Sequence, residues 1–197
     1  MKDDMILREI NESISVKRKI LKDATLVDLV QQVADECIEA YRRCNRVLLA
    51  GNGGSAADAQ HIAAEFVGRY AFDRPGLAAI AFTTDTSMLT AIGNDYGYDQ
   101  IFRRQLEANG RQGDIFIGIS TSGNSSNVLT ALQCARELGI VTVGLTGQGG
   151  ENMKAYCDYC IQVPSMSTPR LQESHIMLGH IICGIVENTL FGGKKNQ

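Results

Sequence analysis

Two side chains able to move protons or hold a metal stand one helical turn apart in "AADAQHIAAEF": His61 and Glu65. An (i, i+4) spacing puts them on one face of a helix. The core face of that helix is set by Ala59, Ile62, Ala63, Phe66 and Val67, so the pair points away from it. The plain reading is a solvated surface pair. Its flanks, Ala57, Ala64 and Gly68, are small enough for another helix to approach, and a working pair on this face needs a cover, most simply another subunit. The last helix supplies a candidate. It is apolar nearly all round from Ile176 to Val186, so both faces are expected to be buried, and it carries His180 with Gly179 beside it and Gly184 one turn on. A lone buried histidine has the plainer role of a hydrogen-bonded core residue. His61, Glu65 and His180 together suit a divalent ion such as zinc, which accepts imidazole and carboxylate. Gln172 would be an atypical fourth ligand. It lies eight residues before His180, ~12 Å along a helix, so either the reach is stretched or the ligands come from different chains.

Two loops precede helices and have the composition to hold a ligand. Gly51-Asn52-Gly53-Gly54-Ser55 permits close backbone approach and positive φ, and it feeds a helix start whose free N–H groups favour an anion or a polar oxygen. It lacks the Gly-Lys-Ser/Thr of a nucleoside-triphosphate loop. Gly51, Gly53 and Ala56 match the looser dinucleotide fingerprint, but the acidic residue that follows, Asp85, stands 34 positions after Gly51 rather than the expected ~20. The second loop, "STSGNSSN", sets Ser120, Thr121, Ser122 and Ser125 around Gly123. One hydroxyl is enough to cap a helix; four in six positions point to a phosphate held by hydroxyls and helix N–H groups.

These loops need elements to carry them. Residues 4–22 form a helix with a narrow stripe of Ile6, Ile10, Ile14 and Leu21, suited to the edge of a domain or to another subunit. Residues 25–44 form a second, with Leu26, Leu29, Val30, Val33, Cys37, Ile38 and Tyr41 on its apolar side. Five apolar runs follow, at 46–50, 77–83, 114–120, 141–147 and 159–164. Helices are expected between them near 86–92, 98–109 and 126–138, with a short one after the fourth run and a long one at 168–191. Apolar strands alternating with helices imply an α/β fold: a doubly wound, parallel five-stranded sheet of flavodoxin-like form, buried on both faces. The expectation is one domain over 1–197, with a helical pair at 1–44 and the α/β core and last helix at 45–192. Ligands of such sheets sit at the carboxyl ends of strands near the switch point, where the two loops fall. The tail "GGKKNQ" is expected to be mobile.

Of the 197 residues 44% are apolar and 21% charged, the range of an ordinary globular protein with a full core. Nineteen basic against 22 acidic residues give a net charge of −3. The longest Lys/Arg run is three residues, Lys17-Arg18-Lys19, so neither nucleic acid nor a membrane surface is an expected partner. No transmembrane run and no signal-peptide core are seen. Six scattered cysteines read as reduced thiols of a cytoplasmic protein. Cys157 and Cys160 form a C-x-x-C without a second pair or a nearby histidine to complete a zinc site. They straddle the start of an apolar strand, and a structural or inert role is expected.

Taken together, "GNGGSAADAQHIAAEFVGRY", "AIGNDYG", "GISTSGNSSNV" and "LQESHIMLGHI" resemble the sugar isomerase (SIS) domain family, and within it the bacterial enzymes that isomerise heptose phosphates. Four motifs in order over nearly the whole chain make the resemblance specific. It implies a homotetramer with active sites at subunit interfaces. It also implies interconversion of sedoheptulose 7-phosphate and D-glycero-D-manno-heptose 7-phosphate through an enediol, a first step towards heptose for lipopolysaccharide or capsule. Carried over by motif, Ser120, Thr121, Ser122 and Ser125 hold the phosphate, and Asn52, Gly53, Gly54, Ser55, Asn94 and Asp95, with Glu65 and Gln172, line the sugar. Glu65 and His180 are the acid–base residues, with burial at an interface raising the carboxyl pKa. His61, Glu65, Gln172 and His180 match a zinc set seen in some members, one ion per subunit. The rival reading is a tetrameric SIS scaffold that binds the replication initiator DnaA. That group lacks the glutamate of the first core helix and the histidine of the last, and this chain has both. SIS enzymes acting on arabinose 5-phosphate or glucosamine 6-phosphate carry extra domains, and SIS sensors follow a helix-turn-helix domain. A dinucleotide oxidoreductase leaves the serine loop and His180 without a task.

Overall fold

The computed structural model describes residues 2–194. Two helices open the chain, α1 (Lys2–Lys22) and α2 (Ala24–Arg42). An alternation follows: β1 (Val47–Gly51), α3 (Gly54–Val67), β2 (Ala79–Ala81), α4 (Thr86–Tyr96), α5 (Ile101–Asn109), β3 (Ile115–Ile119), α6 (Ser126–Glu137), β4 (Val141–Gly147), α7 (Glu151–Lys154), β5 (Tyr159–Val163) and the long α8 (Thr168–Phe191). All strands pair in parallel in the order β2-β1-β3-β4-β5. The expected doubly wound sheet is therefore present, and its order reverses between β1 and β3, the switch point where ligands of such folds collect.

Alternation along each strand divides the core in two. Val47, Leu49, Ile115 and Ile117 face a cluster with α2, α3 and α8, while Leu48, Ala50 and Phe116 face one with α5 and α6. Every residue of β1 and β3 is buried, and each large apolar side chain contributes ~1.5–3 kcal/mol. The two loops thus hang from a fully buried pair of strands, with Gly51 in register with Ile119.

Several expected features come out differently. The run at 77–83 supplies only three ladder residues, because β2 is an edge strand paired with β1 alone. Asp85, the residue a dinucleotide reading needs, caps α4 by accepting from the Met88 N–H at 2.8 Å. The helix expected at 98–109 is split. Gly97, at φ 88°, ends α4, and a 3-10 turn, Tyr98–Gln100, leads into α5. The second helix stops at Arg42 rather than 44, with Cys44 in the left-handed region at φ 63°. The α1 stripe is not buried within the chain. Ile6, Ile10, Ile14 and Leu21 are exposed, whereas Val16 and Ile20 are covered. The helix is held instead by polar contacts to α8: Ser13 donates to Glu173 at 2.7 Å, and Arg170 donates to the Glu9 carbonyl at 2.7 Å. On α8 itself Ile181 is 43% exposed, so one face is open where both were expected to be covered. The expected mobile tail begins as a 3-10 turn at Gly192–Lys194, and its last three residues lie outside the described residues.

Candidate active site at the switch point

The first loop turns because Gly53 takes φ 55°, a conformation that costs most residues but not glycine. It stands at the N-cap of α3, and no side chain caps that helix start. At the second loop Ser125 takes the N-cap position of α6 with no side-chain cap either. Its hydroxyl is turned to Ser120, Oγ to Oγ at 2.9 Å. Two helix starts, side by side beyond β1 and β3, keep first-turn N–H groups free of side-chain caps, where anions and polar oxygens are favoured. Ser120 is buried. Gly123, at φ 67°, makes the bend, the Ser122 hydroxyl accepts from the Asn124 N–H at 3.2 Å, and the Thr121 carbonyl accepts from Gly147 at 3.2 Å.

A bond pair missed in the sequence braces the loops against each other. The Asn52 and Asn127 amides exchange hydrogen bonds at 2.9 and 3.0 Å, and the Tyr98 hydroxyl donates to Asn52 Oδ1 at 3.0 Å. Asn127 is 1% exposed. A buried asparagine in the first turn of a helix is the signal that was available for it, since buried amides need partners. Gly51, Asn52, Gly53, Ala56, Thr83 and Tyr98 line a cleft of about 140 Å³ beside the loop. Ser55 is buried at the first turn of α3. Asn94 and Asp95 are exposed at the end of α4, where Asn94 donates to Asp95 at 2.8 Å. No hydrogen bond among the described residues joins either of them to the two loops.

His61, Glu65 and His180 meet at one point. The Nε2 atoms of His61 and His180 are 2.8 Å apart, and His61 Nε2 lies 3.1 Å from Glu65 Oε1. The cover foreseen for this face comes from the same chain: α8 packs directly on α3. A Cβ at Gly179 would stand 2.6 Å from Ile62 Cδ1, so the missing side chain is what lets the helices approach. The Tyr70 ring closes on His180 with centroids 5.6 Å apart. One chain therefore brings all three groups together, with the His61 side chain 51% and the Glu65 side chain 22% exposed. Gln172 sits farther along α8 against the glycine loop: its amide fills the space a Cβ on Gly54 would need. Val67, assigned to the core face of α3, is half exposed.

Two neighbours add charge. Asp58, one turn before His61, has an Oδ2 that is buried and unpartnered. Burial pushes its carboxyl up to about 6, while His61 acts to lower it. Below the site Glu187 is 1% exposed in its side chain and accepts from the N–H groups of Tyr70 and Ala71 at 2.8 and 2.7 Å and from Arg74 Nε at 3.1 Å. Arg74 also donates to the carbonyls of Glu65 at 2.8 Å and Phe66 at 2.6 Å, so this buried pair fixes the end of α3 that carries Glu65.

A parallel sheet with two uncapped helix starts at its switch point and an imidazole–carboxylate cluster between α3 and α8 defines a class, and the match to known proteins agrees. The SIS domain profile covers residues 12–147, and the chain belongs to that family. Within it the chain groups with the phosphoheptose isomerases, and it is an enzyme of the sugar-phosphate isomerase type. It is 62% identical over 192 residues to the phosphoheptose isomerase of Aneurinibacillus thermoaerophilus, covering 98% of this chain and 97% of that one. The solved phosphoheptose isomerase from Neisseria gonorrhoeae superposes with a TM-score of 0.89 at 42% identity, covering 95% of this chain and all of that one. That from Francisella tularensis does so with a TM-score of 0.91 at 34% identity, covering 95% and 99%.

Proposed function

We propose that the chain interconverts sedoheptulose 7-phosphate and D-glycero-D-manno-heptose 7-phosphate, the entry into nucleotide-activated heptose for lipopolysaccharide or capsule, in the cytoplasm. The observation that carries this reading is the convergence of Glu65, His61 and His180 from α3 and α8, in a chain whose switch point also carries two uncapped helix starts. Isomerisation moves a proton between C1 and C2 through an enediol, so it needs a base near carbon and an acid near oxygen. Glu65 takes the carbon proton and His180 moves protons at oxygen. Ser120, Thr121, Ser122 and Ser125 hold the phosphate with the first N–H groups of α6. Asn52, Gly53, Gly54, Ser55 and Gln172 line the sugar chain, and Asn94 and Asp95 approach it from α4. The Asn52–Asn127 brace keeps the distance between the phosphate end and the reacting end fixed, which favours one productive pose.

The same cluster fits a zinc ion. One ligand atom from each of His61, Glu65 and His180 lies within 4.8 Å of the other two, and two imidazoles with a carboxylate are an ordinary zinc donor set. Gln172 is the proposed fourth ligand. Held by these residues, such an ion would supply Lewis-acid polarisation of the sugar carbonyl. A homotetramer with interfacial sites is proposed on two observations. The α1 stripe of Ile6, Ile10 and Ile14 is uncovered. Beside it an apolar groove of about 580 Å³ runs between Ile20, Leu21, Val27, Met177, Ile181 and Ile185, an open apolar surface of the kind a neighbouring subunit covers. Among the described residues no helix is long and apolar enough to cross a membrane.

An NMR time course with sedoheptulose 7-phosphate, run with added zinc and with a chelator, tests the reading. The aldose heptose phosphate is expected to appear, faster in the zinc arm. No aldose in either arm, from folded protein, would overturn it.

A further inference from the structure

The C-x-x-C left aside as structural or inert is not a pair of isolated core thiols. Cys157 precedes β5 and Cys160 lies within it, opposite Gly144 of β4 in the parallel register. A Cβ at 144 would stand 2.7 Å from Cys157 Sγ and 3.4 Å from Cys160 Sγ, so both sulfurs occupy the space above one glycine. Neither is sealed in: both are half-buried, and with Lys154, Asp158 and Gln162 they line an open cleft of about 520 Å³. By contrast Cys37, Cys134 and Cys183 are buried, and Cys44 stands exposed by itself.

We propose that Cys157 and Cys160 form a reversible dithiol/disulfide site that reacts with small hydroperoxides. The electrons balance as follows. The Cys160 thiolate attacks the peroxide oxygen, the O–O bond breaks, and a sulfenic acid forms with release of hydroxide or alkoxide. The Cys157 sulfur then attacks the sulfenic sulfur, the S–O bond breaks, and the S–S bond forms. Two thiols are oxidised by two electrons and the peroxide is reduced, its oxygens leaving as water, or as water and an alcohol. The roles of the two thiols follow from their surroundings. The neighbouring Cys157 thiol holds the Cys160 thiol below its ordinary value against burial, with Lys154 helping and Glu151 opposing. The neighbouring Cys160 thiol, and then burial, push Cys157 well above its own. Thiolate character and access together select the attacking sulfur. The site is separate from the helix-start loops, and the proposal does not depend on the isomerase reading.

The test uses the full chain treated with hydrogen peroxide, alkylated, digested and mapped by mass spectrometry. The expected result is a 157–160 link, loss of two of the six free thiols, full recovery with dithiothreitol, and oxidation of the pair at least tenfold faster than of Cys44. In Cys157→Ser a sulfenic acid trapped by dimedone is expected at Cys160, while Cys160→Ser should leave Cys157 reduced. Absence of the 157–160 link in the wild-type protein while Cys44 oxidises would overturn the proposal, whatever the variants do. So would dimedone trapping at Cys157 in Cys160→Ser.

Discussion

Replacing Glu187 by alanine should cost more stability than removing Glu173, the other carboxylate of α8. The carboxylate is 1% exposed and accepts three hydrogen bonds, two from the backbone of the 70–71 turn and one from Arg74. Removing one partner of a buried ion pair costs about 3–5 kcal/mol, because the other charge stays buried. Two facts move the expected figure towards the lower end. Arg74 keeps its bonds to the carbonyls of Phe66, Glu65 and Pro75. Tyr70 and Ala71 are exposed, so water can reach their freed N–H groups. The expected loss is about 3 kcal/mol, which for a chain of this size lowers Tm by roughly 6–12 °C. Urea denaturation followed by circular dichroism measures it. Acid gives a second reading. Burial acts to raise the Glu187 carboxyl, but the Tyr70 and Ala71 N–H groups and Arg74 outweigh it and hold it below its ordinary 4.5. A depressed carboxylate contributes stability above that value and loses it as pH falls through the folded one. The gap between wild type and Glu187→Ala should therefore shrink below pH 4.5. Arg74→Met/Glu187→Leu should cost less than Glu187→Ala, since no charge is left behind. A loss under 1 kcal/mol for Glu187→Ala at pH 7 would refute the reasoning.

Glu65→Gln and His180→Gln should each lower kcat by about 10²- to 10⁴-fold with an unchanged circular dichroism spectrum, and full activity in either would remove the acid–base assignment. Gly179→Ala puts a methyl 2.6 Å from Ile62 Cδ1; α8 must back away from α3, so zinc affinity measured by competition with a chromophoric chelator should fall more than thermal stability does. Gly54→Ala meets only the end of the Gln172 amide, so it should raise KM in a steady-state assay while leaving Tm within a few degrees. Burial of His175 lowers its pKa to about 4, against the opposing hydrogen bond to the Thr146 carbonyl. The folded state therefore resists the proton, and stability is full above pH 6.5 and falls as pH drops towards 4, by at most roughly 3 kcal/mol. Denaturation of His175→Gln across that range should show a shallower decline.

What the sequence disclosed and what it withheld divide by the range of the interaction. Continuous apolar runs bounded by turn residues are local signals, so β1, β3, β4, β5 and α8 are legible within a few positions. The glycine and serine loops are local too, since each announces its own turn. Failures begin where a residue's role depends on a partner far along the chain. The α1 stripe has the period of a buried face, yet within the chain Ile6 and Ile10 stay more than half exposed; period says that a face is apolar, not what covers it. Glu187 and Arg74 are 113 positions apart, and each alone reads as a surface charge. His180 was legible as a candidate, but the sequence left open whether its helix met α3 of the same chain. Gly179 settles that physically: a side chain there would hold α8 off Ile62, and only without one does the His180 ring come within 2.8 Å of His61. His61, Glu65 and His180 could be picked as candidates by type and spacing. Their convergence depends on a glycine whose purpose shows only once both helices are in place.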